Sequence, residues 1–307
     1  MNKTSFLFPG QGSQYAGMGK DLTDNFAVAR TTFEEADEAL GFKLSALCFN
    51  GPEEDLKLTF NTQPAILVTS IAALRVIQQE TGLAADCVAG HSLGEYSALV
   101  CSGALSLADA VRTVRARGTF MQEAVPVGVG AMAAMLSIEA DELAAICTEA
   151  AQGEVVAPAN FNSPGQIVIA GHTAAVNRAI EIAKSKGYRK AMLLPVSAPF
   201  HCALMQPAAD RLKTELDCVM VHPLAQPVIT NVEATANQDA GRVRELLVAQ
   251  VCAPVRWEQS VQCMLNDGVT RFIEIGPGKV LTGLVKRITK EVTLLNIEDT
   301  AGVKAIA

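Results

Sequence analysis

The sequence predicts an α/β protein whose parallel-sheet core is interrupted by a small α+β subdomain. Short apolar runs alternate with longer amphipathic patterns along most of the chain, as in strands joined by crossover helices. Between residues 127 and 197 the order changes to strand, helix, strand, strand, helix, strand, which is the ferredoxin-like pattern. No low-complexity linker and no internal repeat divides the 307 residues. We therefore expect a core domain, residues 1–126 and 198–307, with an inserted subdomain at 127–197.

The elements before the insertion follow from apolar runs and the turns that end them. They are a strand at 5–8, helices at 25–40 and 64–80, a strand in DCVAG, and helices in SLGEYSALVCSG and LSLADAVRTVRARGTFMQEA. Pro64 suits the first position of its helix, because the amide hydrogen that proline lacks has no partner there. Ser106 and Asp109 have the spacing of a capping box and mark the start of the last of these helices.

The insertion and the C-terminal part are predicted in the same way. They comprise the strand AMAAMLSI, a helix at 139–151, the strands VVAPANF and QIVIAG joined by the turn NSPG, a helix at 173–186, the strand KAMLLPV, and a later strand, glycine turn and helix in TRFIEIGPGKVLTGLVKRI. Neither FPGQGSQ nor EIGPGKVLTG matches the dinucleotide fingerprint or the phosphate-binding P-loop, so no nucleotide site is predicted.

Composition excludes several other classes. Half of the residues are hydrophobic and 19% are charged, which is typical of a globular protein and not of a disordered one. A net charge of -7 and a pI near 5.2 argue against general affinity for nucleic acid. Eight cysteines without a CxxC pair and four separated histidines predict free thiols in a reducing cytoplasm and no metal site. No uninterrupted apolar run is long enough to predict a membrane span, and the N-terminus does not resemble a secretory signal.

The pentapeptide GHSLG, residues 90–94, matches the nucleophile-elbow pattern G-x-S-x-G. An elbow requires a strand before the serine and a helix after it, and both are predicted here independently of the motif. Ser92 is therefore predicted to be a catalytic nucleophile in preference to a simple helix cap. A serine hydroxyl is a weak nucleophile at neutral pH, so it needs a nearby base.

Two side chains elsewhere in the sequence are candidates to act with Ser92. His201, on the loop between the insertion and the next helix, is the best base, although a loop histidine can also serve only to hold a backbone carbonyl. Arg117 lies at the edge of the apolar stripe of its helix, where a cation needs an anionic partner. That partner is either a protein carboxylate or a ligand; alternatively the side chain extends along the apolar stripe to place its charge in solvent, and the pattern does not decide among these alternatives.

Taken together, these segments resemble the malonyl-CoA:acyl carrier protein transacylases of fatty acid synthesis. FPGQGSQ, TQPA, GHSLGEYSAL, NFNSPGQIVIAG, PVSAPFH and EIGPGKVLTGL occur in family order, from about Phe6 to Ile288. The resemblance implies a hydrolase-like α/β core with a ferredoxin-like insert. It also implies that Ser92 is acylated and that His201 is the general base and acid. In the family, a glutamine carbonyl that matches Gln250 orients the histidine, and the backbone N–H groups of Gln11 and Leu93 would hold the oxyanion.

The same resemblance implies a substrate and a partner. Arg117 would bind the free malonyl carboxylate, Gln63 would line the pocket, and Phe200 would crowd an α-methyl branch on the acyl group. Malonyl-CoA would be the substrate and acyl carrier protein the acceptor, with no cofactor, no metal, and a monomeric enzyme. Two alternatives are a serine esterase or thioesterase of hydrolase-like fold and a non-catalytic module that docks acyl carrier protein. An ordinary α/β-hydrolase is disfavoured because its histidine lies near the C-terminus, whereas 106 residues follow His201.

Overall fold

The computed structural model describes residues 3–196 and 198–306. The strands are β1 Lys3–Phe8, β2 Cys87–Gly90, β3 Gly130–Leu136, β4 Val156–Ser163, β5 Gln166–His172, β6 Ala191–Leu193, β7 Val228–Ile229, β8 Ala236–Asn237, β9 Val269–Ile275 and β10 Thr293–Ile297. The α-helices are α1 Lys20–Asn25, α2 Ala27–Leu40, α3 Leu44–Asn50, α4 Glu53–Leu56, α5 Thr59–Thr81, α6 Gly94–Cys101, α7 Leu107–Glu123, α8 Ala140–Ala151, α9 Thr173–Ser185, α10 Gln206–Asp217, α11 Val243–Cys252, α12 Trp257–Asn266, α13 Val280–Ile288 and α14 Thr300–Lys304.

The larger sheet has the strand order β10-β9-β1-β2-β7-β8. The first five strands are parallel to their neighbours, and β8 adds an antiparallel edge. The central strands β1 and β2 are almost wholly buried, as expected of parallel strands covered by helices on both faces. Phe8 pairs with Gly90, so both strands end at the same edge of the sheet. The predicted parallel-sheet core is thus confirmed.

The smaller sheet is antiparallel and has the order β4-β5-β3-β6. Its elements follow the predicted order β3-α8-β4-β5-α9-β6, which confirms the ferredoxin-like pattern. Alternate strand residues and the helices α8 and α9 form a separate apolar core, which includes Ala133, Met135, Ile167 and Ile169. The limits of the predicted subdomain stay a prediction, and its last residue, 197, lies outside the described residues.

A short backbone ladder joins the smaller sheet to the larger domain. Val255 bonds to β4 in both directions: its carbonyl accepts from Phe161 N at 2.8 Å, and its amide donates to Ala159 O at 2.9 Å. The adjacent Arg256 amide donates to Asn231 O at 3.0 Å. This segment follows α11 directly, so the ladder fixes the end of the helix that carries Gln250.

Helix α5 begins five residues earlier than predicted, at Thr59, so Pro64 lies inside it and not at its first position. A proline there leaves the carbonyl four residues earlier, that of Phe60, without its helical donor. Arg115 Nη1 donates to this carbonyl at 3.3 Å instead. Among the described residues, α5 alone has the length and hydropathy to cross a membrane, and 89% of the tested window is buried inside the fold, as in a core helix.

Helix α7 carries Arg117 and packs closely against α5. The predicted cap is confirmed, because Ser106 Oγ accepts from the Asp109 amide at 3.0 Å. Gly118 allows the close approach, since a Cβ at that position would lie 2.7 Å from Phe60 Cα. The side chain before Gly118 is thereby buried where the two helices meet.

Candidate active site

Ser92 lies in a sharp turn between β2 and α6, with a positive φ of 51°. Such a conformation is strained for a residue with a side chain and is typical of functional sites. The flanking glycines are required by space: a Cβ on Gly90 would lie 2.0 Å from Gly94 O, and a Cβ on Gly94 would lie 2.0 Å from Phe8 O. The glycines therefore bring strand, turn and helix together as a nucleophile elbow requires.

Asn231, which the sequence interpretation missed, holds this turn from the end of the neighbouring strand β7. Its Oδ1 accepts from the Ser92 amide at 2.6 Å. Its Nδ2 donates to Gly90 O at 2.7 Å. These two bonds span the elbow and offset the strain of the positive φ. No motif marks Asn231 in the sequence, and only the sheet order brings it to β2.

His201 makes the two contacts expected of a general base. Its Nε2 lies 2.8 Å from Ser92 Oγ, and its Nδ1 lies 2.9 Å from the backbone oxygen of Gln250. A carbonyl only accepts, so Nδ1 carries the hydrogen and Nε2 presents its lone pair to the serine. Burial, followed by the charge of Arg117, lowers the pKa of His201 to about 3, which keeps the ring neutral.

Arg117 is only 1% exposed and lies in the same site. Its Nη2 donates to Ser92 Oγ at 3.1 Å and to Gln250 Oε1 at 3.0 Å, and its Nη1 donates to Gln63 Oε1 at 2.7 Å. Burial lowers the pKa of the guanidinium, but an arginine stays charged in proteins. Among the described residues no carboxylate is within ion-pair distance of it, and its buried Nε has no partner. The partner left open by the sequence is thus not a directly bound protein carboxylate.

Glu95 is a second buried charge that sequence reasoning missed. It follows Ser92 by three residues on α6 and is 2% exposed. Its Oε2 accepts from Gln250 Nε2 at 2.7 Å and from the Asn231 amide at 2.9 Å. Burial raises the pKa of this carboxyl to about 7, opposed by those hydrogen bonds and by Arg117. The feature of the sequence that could have indicated this residue is an acidic side chain directly after the motif GHSLG.

The site opens into a cavity of about 130 Å³. It is lined by all but one of the residues that the sequence assigned to catalysis or binding: Gln11, Gln63, Ser92, Leu93, Arg117, Phe200 and His201. The exception is Gln250, which lies behind it and contributes through hydrogen bonds. Unpredicted lining residues include Met121 of α7, Met132 of β3, Asn160 of β4, and Leu194 and Val196 after β6.

His91 also lines the cavity, but it is not bonded to Ser92. Its Nε2 lies 2.9 Å from Asn162 Oδ1, and its ring lies 5.7 Å from that of Trp257. Among the described residues, no group of three or more His, Cys, Asp or Glu side chains is placed to hold a metal ion.

The fold and the site together define a class of enzyme. A serine in an elbow, a neutral histidine at 2.8 Å from its hydroxyl and a third group that orients the histidine form the constellation of nucleophilic acyl chemistry. The third group here is a backbone carbonyl in place of the usual carboxylate.

The chain belongs to the acyl transferase domain family, which matches residues 5–304. It is 50% identical to the malonyl CoA-acyl carrier protein transacylase of Escherichia coli K12 over 99% of both chains. It is also 50% identical to the protein of that name from Bacillus subtilis 168, over 97% of this chain and 94% of the relative. The resemblance drawn from the motifs is thereby confirmed.

Solved structures of acyltransferases are also similar to this chain over its whole length. An acyl carrier protein S-malonyltransferase from Vibrio cholerae superposes with a TM-score of 0.97, at 49% identity and full coverage of both chains. A malonyl-transacylase solved in complex with its type II PKS acyl-carrier protein also gives 0.97, at 46% identity and 99% coverage of each chain. The predicted α/β architecture is therefore the architecture of these enzymes.

Proposed function

We propose that this chain transfers the malonyl group of malonyl-CoA to the phosphopantetheine thiol of acyl carrier protein, and so supplies fatty acid biosynthesis. The observation that carries the proposal is the buried guanidinium of Arg117, whose Nη2 lies 3.1 Å from Ser92 Oγ. A guanidinium binds a carboxylate through two parallel hydrogen bonds. This position suits an acyl group whose free carboxylate lies one methylene beyond the reacting carbonyl. The names of the relatives support the same substrate.

In the first half-reaction, Ser92 Oγ attacks the thioester carbon of malonyl-CoA while its proton passes to His201 Nε2. The backbone N–H groups of Gln11 and Leu93 bind the oxyanion of the tetrahedral intermediate. When the C–S bond breaks, the proton on Nε2 passes to the sulfur of coenzyme A. The malonyl group then remains as an ester on Ser92.

The second half-reaction reverses these steps with a different thiol. His201 Nε2 takes the proton of the phosphopantetheine thiol as the sulfur attacks the ester carbon, and the same backbone N–H groups bind the oxyanion. When the C–O bond breaks, the proton returns to Ser92 Oγ. The backbone oxygen of Gln250, 2.9 Å from Nδ1, stabilises the transient imidazolium in both steps. The reaction as written requires no cofactor and no metal.

The remaining predicted residues select the acyl group. Gln63 Oε1 accepts from Arg117 Nη1 at 2.7 Å and so holds the guanidinium toward the cavity. Phe200 lines the cavity and is 8% exposed, which supports its role in crowding a branched acyl group. The wall contributed by Met121 and Met132 is apolar and fits the methylene of malonyl.

We further propose that the enzyme works as a cytoplasmic monomer. All eight cysteines lie among the described residues and are free thiols, which fits a reducing compartment.

The two alternative functions do not explain the site. An esterase or thioesterase has no need of a buried arginine beside its nucleophile, and a docking module needs neither Ser92 nor His201. Neither alternative is favoured by the relatives from Escherichia coli, Salmonella typhimurium and Bacillus subtilis, which are named transacylases.

The proposal is tested by incubating the protein with malonyl-CoA and measuring the intact mass. We expect one malonyl adduct on the wild type and none on Ser92→Ala. Circular dichroism and thermal melting of both proteins control for folding, since loss of one hydroxyl should leave both unchanged. A wild type that stays unmodified, or an adduct that persists in Ser92→Ala, contradicts the assigned nucleophile.

A further inference from the structure

Glu95 does not line the cavity and has no step in the reaction, yet it is joined to the substrate-binding arginine through one side chain. Gln250 Oε1 accepts from Arg117 Nη2 at 3.0 Å, and Gln250 Nε2 donates to Glu95 Oε2 at 2.7 Å. All three side chains are buried, with exposures of 1%, 0% and 2% for Arg117, Gln250 and Glu95. The contacts form a directional chain from cation to amide to carboxylate.

The chemistry of the chain allows only one orientation of the Gln250 amide. A guanidinium only donates and the backbone oxygen of Ser92 only accepts, so the amide oxygen must face Arg117 and the amide nitrogen must face Ser92 and Glu95. Gln250 Nε2 also donates to the backbone oxygen of Ser92 at 3.0 Å. A flipped amide would place donors against the guanidinium and its oxygen against the carboxylate and that carbonyl, at a high cost in a buried site.

Glu95 is itself held in place by the elbow. Its Oε2 accepts from the Asn231 amide, and the Asn231 side chain binds the Ser92 amide. Among the described residues, Arg117 is the charged group that acts on this carboxyl, and it favours the ionised form; the neighbouring Tyr96 hydroxyl is neutral, buried and without a hydrogen-bond partner. The carboxyl group is thus fixed relative to Ser92, and through its hydrogen bond it can fix the orientation of the Gln250 side-chain amide.

We propose that Glu95 is the positioning residue of the malonyl-binding site: through the Gln250 amide it holds Arg117 beside Ser92 in the orientation that accepts the malonyl carboxylate. This inference rests on the proposed function. Glu95 touches neither substrate nor reacting atoms, so it acts only through its neighbours. The carboxylate selectivity of the enzyme then depends on a residue outside the cavity.

The test compares the rates at which malonyl-CoA and acetyl-CoA acylate Ser92, measured by quenched intact-mass time courses. Only malonyl contacts Arg117, so a loose guanidinium lowers the malonyl rate more than the acetyl rate. We expect Glu95→Ala to lower the malonyl-to-acetyl ratio about tenfold, the scale of one buried hydrogen bond in a charged network. Glu95→Gln retains an acceptor oxygen for Gln250 Nε2 and should restore most of the ratio.

Glu274 provides a matched control, because it is a buried glutamate outside the site. Its oxygens accept from the Leu281 and Thr282 amides at 2.9 and 2.7 Å. Glu274→Ala should lower the melting temperature and leave the ratio unchanged. If Glu95→Ala does not fold, Glu95→Asp replaces it in the test. A side chain shorter by one methylene does not reach Gln250, so this variant should also lower the malonyl-to-acetyl ratio.

The possible results separate the two proposals. A wild type that forms no malonyl ester overturns the proposed function and this inference with it. A wild type that forms the ester, together with a folded Glu95→Ala or Glu95→Asp whose ratio is unchanged, overturns the inference alone. An equal fall of the ratio in Glu274→Ala also overturns it, because the effect would then be a general consequence of lost stability.

Discussion

Replacing Arg117 with methionine should remove the preference for an acyl group that carries a carboxylate. Methionine keeps most of the buried volume but carries no charge and no donor. A charged hydrogen bond contributes about 1.5 to 3 kcal/mol, so losing a two-bond contact to the malonyl carboxylate costs about 3 to 6 kcal/mol. At 1.36 kcal/mol per factor of ten, malonyl transfer should fall by about 10² to 10⁴. Acetyl transfer lacks this contact and should fall much less.

The assay measures kcat/KM with malonyl-CoA and with acetyl-CoA for Arg117→Met. The control is Arg112→Met on the same helix, whose side chain is 53% exposed and, among the described residues, bonds only to Ala39 O and Asp109. Both rates of the control should stay within about twofold of the wild type. Arg117→Met leaves the buried Gln63 and Gln250 oxygens without their donor and should lower the free energy of unfolding by a few kcal/mol, so the rates are measured well below the melting temperature of each variant. Equal losses for the two substrates would refute the assigned role of Arg117.

Phe200→Ala should raise acylation by methylmalonyl-CoA relative to malonyl-CoA by about tenfold, and an unchanged ratio would remove its selective role. Burial lowers the pKa of His201 to about 3, so only the unfolded state gains that proton as pH falls below 6.5. Between pH 7 and pH 5 the free energy of unfolding, measured by urea titration, should therefore fall by about 2 kcal/mol more in the wild type than in His201→Gln. An equal fall in the two proteins would contradict this prediction. Gly94→Ala, whose Cβ would lie 2.0 Å from Phe8 O, should lower the free energy of unfolding by about 3 kcal/mol or more in the same titrations. Gly283→Ala is the control and should not lower it, because no atom lies within 4 Å of a Cβ at that position.

The order of elements and the two side chains that meet at the elbow, Ser92 and His201, could be predicted because both leave local signals. The apolar runs of β1 and β2 mark buried strands, and the glycines on either side of Ser92 mark a turn in which a side chain has no room. Arg117 was identifiable because a charge on an apolar helical stripe requires an explanation. The partner of Arg117 could not be identified in this way, since helix periodicity shows that a side chain is buried but not which groups it contacts.

The parts that the sequence did not predict depend on contacts between distant segments. Asn231 bonds to Ser92 across 139 positions, and Gln250 bonds to Glu95 across 155. Polar residues of this kind look like ordinary surface residues until the sheet order places them together. The start of α5 was missed for a related reason: the carbonyl freed by Pro64 is satisfied by Arg115 from another helix, and local rules do not include that donor.

The most direct test of the account is the fate of the malonyl group on the isolated malonyl-enzyme. The ester is formed with malonyl-CoA, freed of excess substrate by rapid gel filtration, and divided between buffer and buffer containing holo-acyl carrier protein. Intact mass then follows the enzyme and the carrier protein together. We predict that the carrier protein gains the malonyl group at least tenfold faster than malonate is released in buffer. Release of malonate at the same rate with and without the carrier protein would show a hydrolase and contradict the account.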